Sequence, residues 1–139
     1  AWGGAATAFA VLTQDMLRWW WWEWTRPQGF YSHGTLVPVL MGLVLWHRRA
    51  RAPLAGGSAL ALIALLVAIA MYLFAERGAM PAIQSASFLG MVAAIAAFVG
   101  GMAWFRRVAF PAIALFALCA PIPGPLLHDA TRRLQEWSA

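Results

Sequence analysis

Three stretches without a single charged side chain govern what this chain can fold into. They run from Arg51 to Glu76, from Arg77 to Arg106 and from Arg107 to Asp129, and each exceeds 20 residues. A helix of about 20 apolar residues crosses the ~30 Å hydrocarbon core of a bilayer. A soluble chain of 139 residues lacks the interior volume to bury three such runs. The composition agrees, with 63% hydrophobic and 11% charged residues, against about 25% charged in soluble domains. The expected fold class is all-α: a polytopic transmembrane helical bundle with four to five spans.

The net charge of +5 does not point to nucleic acid. All 10 basic residues are arginines, and most sit as pairs or triplets at the ends of apolar runs. In a membrane chain that placement sets topology rather than forming a phosphate-binding stripe. The expected surroundings are therefore a lipid bilayer and no nucleic acid. The single cysteine excludes an intramolecular disulfide and a cysteine-based metal cluster. The chain opens at Ala1 without a basic leader and closes at Ala139 without a polar tail. Both ends read as cut, so the expectation is one domain over 1–139, the N-terminal fragment of a longer protein.

Spans are predicted over about 1–14 (partial), 35–48, 54–75, 82–105 and 108–120, with a segment at 121–139 on the outer face. Residues 15–26 hold five tryptophans broken by Arg18, Glu23 and Arg26, a pattern suited to the headgroup layer. Pro38 is tolerated in the first turn of the 35–48 helix, and Pro53 forbids its continuation. Gly57, Ala61, Ala64, Ala68 and Ala75 form one helical stripe; Ala86, Gly90, Ala94, Ala97 and Gly101 form another. Small residues at this spacing allow close approach of membrane helices. Pro121, Pro123 and Pro125 break the chain, and residues 126–139 read as an amphipathic helix. Arg48, Arg49 and Arg51, with Arg106 and Arg107 two spans later, belong to the cytoplasmic side. Tyr31, Ser32, His33, the tryptophan run and the proline break then face outward.

Few residues offer chemistry. His33, beside Tyr31 and Ser32 at the outer end of a span, suits a proton shuttle or substrate hydrogen-bonder. Equally, the cluster suits a polar cap on free helical N–H groups. His33 and His47 have the separation of a transmembrane haem pair, yet only His128 remains to complete a second pair. No cofactor or metal is expected. Cys119 lies in an apolar run at a helix C-terminus, where the dipole disfavours a thiolate, so it reads as a small buried hydrophobe.

Several short blocks appear in the order found in one family. Tyr31-Ser32-His33-Gly34 leads through Leu36, Val37 and Pro38 to Leu45-Trp46 and Arg48-Arg49. Gln84-Ser85-Ala86-Ser87-Phe88 opens a later helix. Arg107-Val108-Ala109-Phe110-Pro111 follows, then Pro121-Ile122-Pro123-Gly124, then Leu134-Gln135-Glu136-Trp137-Ser138-Ala139. Over about residues 19–139 the chain resembles the exosortases, multi-pass cysteine transpeptidases of the bacterial inner membrane. The resemblance implies exported protein substrates carrying a C-terminal Pro-Glu-Pro motif, a membrane helix and a basic tail. It implies thiolate attack at the sorting motif, an acyl-enzyme, and a site facing the periplasm. The family's nucleophile lies in an Ala-Cys-Ser-Gly-like motif, which Leu118-Cys119-Ala120-Pro121 does not match. The catalytic cysteine is expected beyond Ala139, leaving no catalytic residue in this stretch and an inactive chain on its own. Tyr31, Ser32 and His33 would support the site. The competing expectation is a non-enzymatic transporter half or assembly subunit, in which the proline break would form a substrate site. Oligomeric state is left open.

Overall fold

The computed structural model describes residues 2–27, 32–51, 53–118, 120–121 and 124–138. Among these every regular element is helical, with no strand. The elements are α1 (Trp2–Thr25), a 3₁₀ turn (Ser32–Leu36), α2 (Val37–Arg48) and a second 3₁₀ turn (Arg49–Arg51). Then come α3 (Ala59–Arg77), α4 (Pro81–Trp104), a π-helical turn (Phe105–Ala109), α5 (Phe110–Ala117) and α6 (Gly124–Ser138).

The helices α3 and α4 make the largest interface in the molecule. Ser58 caps α3 by accepting from the Ala61 N–H at 3.4 Å, so the helix begins after Gly56-Gly57 rather than at 54. Ala61 and Ala75 are buried on α3; Ala94 and Ala97 are buried on α4. The two small-residue stripes come closest at Ala68 and Gly90, where a Cβ on Gly90 would lie 3.6 Å from that of Ala68, and Ala64 and Ala86 line an open apolar groove beside them. At the end of α3, Met80 N–H donates to the Ala75 carbonyl at 2.9 Å and Ala79 N–H to Glu76 at 3.3 Å. This is the bond pattern of a left-handed helix stop, and the residue in the left-handed conformation is Ala79 (φ 50) rather than Gly78. Pro81 then starts α4 at a position where its missing N–H costs nothing.

Two helical stretches are long and apolar enough to cross a membrane, Ala59–Arg77 and Pro81–Ala117. That is fewer than the four to five spans expected, for identifiable reasons. The stretch 108–120 is not a separate helix, because the π turn joins α4 to α5 without a loop. Residues 2–14 belong to α1, which carries Asp15, Arg18 and Glu23, and α2 has only 12 residues.

The longer stretch nevertheless folds back on itself. In a straight helix Phe88 and Phe116 would stand about 42 Å apart at 1.5 Å per residue. Their ring centroids are 6.5 Å apart. The reversal centres on Gly101, whose φ of 78 and ψ of 164 are non-helical and open essentially to glycine alone. The segment 53–58 is laid against this break. Ala55 N–H donates to the Gly100 carbonyl at 3.0 Å and Gly57 N–H to Phe98 at 2.9 Å. A Cβ on Gly101 would strike the Ala55 carbonyl, and one on Gly56 would lie 2.7 Å from the Val99 carbonyl oxygen.

The core is built by α1. Its inward stripe runs Phe9, Thr13, Met16, Trp20, Trp24 at helical spacing, and the last four are buried. Phe9 and Trp20 both reach the Phe88 ring, at 5.8 and 5.6 Å between centroids, so α1 passes over α4 at that point. Trp20 also donates its indole N–H to Ser85 Oγ at 3.1 Å, and Tyr72 of α3 donates to the Leu12 carbonyl at 3.2 Å. The reading of 15–26 as a separate headgroup-layer segment therefore needs correcting. Trp20 and Trp24 are 0% and 7% exposed, while Trp21 and Trp22 are 60% and 54% exposed. Two of the five tryptophans are core, two are surface, and Trp19 is partly buried against the core. Asp15, Arg18 and Arg26 lie on the outer face with their partners one turn away.

Candidate functional site

Two ends of the bundle can be distinguished by what α2 and α5 bring together. These helices pack side by side. At the arginine end, Arg48 Nη1 donates to the Arg107 carbonyl at 3.4 Å. Pro111, four residues on, has no N–H to give that carbonyl in a regular helix, and the guanidinium takes the place. At the opposite end, Phe116 packs on Trp20 and Trp24, with centroids 5.2 and 6.2 Å away.

Ser32, His33 and Gly34 of the Tyr31-Ser32-His33-Gly34 block sit at that second end. Of its residues, Tyr31 lies outside the described residues, and Ser32 and His33 are described in their backbone alone, as the start of the 3₁₀ turn. Gly34 is buried against the Trp24 indole, and a Cβ there would fall within the ring. Val37, one turn later, is buried in the core. The motif's glycine is thus a close-approach residue that seats the turn on α1. Pro121 is buried as well, just beyond the end of α5 that carries Phe116. Gly34 of the motif and Ala120, just before the proline break, both pack on the core cluster that holds Trp20, Trp24, Phe88 and Phe116. Cys119, Ile122 and Pro123 lie outside the described residues.

Sequence reasoning missed the residues that build this end. Trp20, Ser85 and Trp24 were legible as members of runs and blocks, not as partners. The signal available was the i, i+3/i+4 recurrence from Phe9 to Trp24, which the charges at Asp15 and Arg18 obscured. Ser87 and Phe88 of the Gln84–Phe88 block are both buried beside Trp20's partner Ser85.

Other places carry less chemistry. Among the described residues no three His, Cys, Asp or Glu side chains gather in a way that could hold a metal. His47 and His128 are exposed. The groove between α3 and α4 is lined by Ala64, Ala68, Ala86 and Gly90, with Ser87 its one polar side chain.

Helical elements throughout the described residues, two apolar stretches of spanning length, and Arg48, Arg49, Arg106 and Arg107 drawn to one end are the features of a helical membrane protein. A family model for the transmembrane exosortases matches residues 21–139. The chain belongs to that family. No curated protein and no solved structure was found to match it.

Proposed function

We propose that the chain serves as the membrane portion of an exosortase that processes exported proteins bearing a C-terminal Pro-Glu-Pro sorting signal. The observation that carries this reading is the family match over 21–139. In the proposed arrangement the 3₁₀ turn carrying Ser32 and His33 borders the site, at the end of the bundle away from the arginines. The attacking cysteine would come from outside these residues, because the one cysteine present stands in Leu-Cys-Ala-Pro. The chain by itself is then inactive. In this reading the longer stretch crosses twice, in opposite directions about Gly101, which with α3 makes three crossings.

The transporter alternative rests on the proline break, which lies partly outside the described residues; the break at Gly101 gives it no second support. Discontinuous helices bind ions through freed backbone carbonyls. Here the Phe98 and Gly100 carbonyls are already taken by Gly57 and Ala55.

His33 provides the functional test. In full-length protein, His33→Ala is expected to cut processing of a sorting-signal reporter by about 10²–10⁴-fold at unchanged protein level, the usual cost of losing an acid–base or orienting group. Unchanged processing per molecule would remove His33 from the site. Orientation is tested separately. A Ser32→Cys probe should react with an impermeant thiol reagent from the periplasmic side, and a Ser58→Cys probe only after permeabilisation. The reverse pattern would place the proposed site in the cytoplasm and sink the reading.

A further inference from the structure

We infer that the arginine end of the bundle is a binding site for the phosphodiester headgroup of an anionic phospholipid. Arg48 and Arg49 arrive from the end of α2, and Arg106 and Arg107 from the π turn. The Arg48–Arg107 hydrogen bond draws the two pairs together across 59 residues of sequence. Arg49, Arg106 and Arg107 are exposed and Arg48 half-buried. Among the described residues no carboxylate pairs with any of them. Asp15, Glu23 and Glu136 are engaged with Arg18, Arg26 and Arg132, Glu76 lies at the opposite end of α3, and Asp129 stands exposed on α6.

Four guanidinium groups without a counter-ion repel one another, and an external anion relieves that. Arginine's planar fork matches phosphate oxygens in two-point contact. What selects a lipid over a free phosphate is the flank. Trp46, Met102 and Phe110, each within about one helical turn of these arginines in sequence, are exposed apolar side chains, a surface suited to acyl chains. Arg49 stacks on the Trp46 ring with its guanidinium carbon 3.5 Å from the centroid. That contact holds one cation at the boundary between the polar and apolar parts of the ligand. Basic pockets between membrane helices recognise anionic headgroups in this way.

The test uses the purified protein in detergent, titrated with phosphatidylglycerol, cardiolipin or phosphatidylcholine, with bound lipid counted by native mass spectrometry. Phosphatidylglycerol and cardiolipin should bind about tenfold or more tighter than phosphatidylcholine. Each arginine near an anionic headgroup contributes about fivefold, so Arg106→Gln/Arg107→Gln should weaken binding by about thirtyfold. Arg132→Gln/Arg133→Gln removes the same charge from α6 and should change nothing. Arg106→Lys/Arg107→Lys keeps the charge and should retain most of the affinity, which separates lost attraction from lost folding. Equal weakening by the two Gln pairs would reduce the effect to net charge and overturn the proposal. So would phosphatidylcholine binding equally well, a Lys pair no better than the Gln pair, or displacement of the lipid by millimolar inorganic phosphate.

Discussion

Gly101→Ala should strongly destabilise the folded protein. A non-glycine residue held at the φ and ψ of Gly101 costs about 1–3 kcal/mol, and its Cβ would collide with the Ala55 carbonyl. Relieving the collision pushes the 53–58 segment off α4 and breaks its two backbone hydrogen bonds. The combined loss should be about 3 kcal/mol or more, a large part of the 5–15 kcal/mol that keeps a domain folded. Gly42→Ala is the matched control. Gly42 lies in α2 with open space around it, and alanine there should be neutral or stabilising by about 0.5–1 kcal/mol. Unfolding of the two variants in detergent, followed by circular dichroism, gives the comparison. A Gly101→Ala protein as stable as the parent would mean that the fold-back does not depend on this glycine.

Trp20→Ala is expected to be nearly as damaging. It empties the centre of the aromatic cluster, and truncating a buried tryptophan typically costs about 3–5 kcal/mol. Trp20→Phe should be much milder. It keeps a ring against Phe88 and Phe116 and loses the bond to Ser85, and such bonds between membrane helices average about 0.6 kcal/mol. Trp21→Ala and Trp22→Ala remove exposed rings and should stay within about 1 kcal/mol of the parent, even counting the Arg26 contact on Trp22. Denaturant titration of the four variants would order them. If Trp21→Ala cost as much as Trp20→Ala, the run would be a uniform interfacial anchor and the inward face assigned to α1 would be wrong.

The parts of the fold that were legible in the sequence are those where charge and small residues mark boundaries. The helices α3 and α4, the turn between them and the meeting of their small-residue stripes follow from the charge-free gaps and the alanine and glycine spacing. The reversal was placed at Arg106-Arg107, because charges usually end a span. The structure turns at Gly101 instead, inside an apolar run where the glycine pair reads as one more part of the stripe. The arginines ride on the π turn beyond it. The continuity of α1 was hidden for a related reason: Asp15 and Arg18 look like an ending when read along the chain, yet they occupy one outer face of a helix. At the candidate site the sequence marked Gly34 through its motif. Its physical role, lying flat on Trp24, depends on a contact between separate elements that no local pattern encodes.

The stitched segment before α3 has a consequence for biosynthesis. The acceptors for Ala55 and Gly57 are made roughly forty residues after the donors. Until then these N–H groups need water, since an unpaired backbone donor within the bilayer costs several kcal/mol. The 53–58 segment must therefore wait at the aqueous boundary while α4 is being synthesised. Helices α3 and α4 should enter the bilayer as a pair, and the chain beyond Gly101 can turn back only once that pair has closed. A ribosome stalled before residue 98 would hold a chain whose N–H groups still face solvent, open to hydrogen exchange that the finished protein resists.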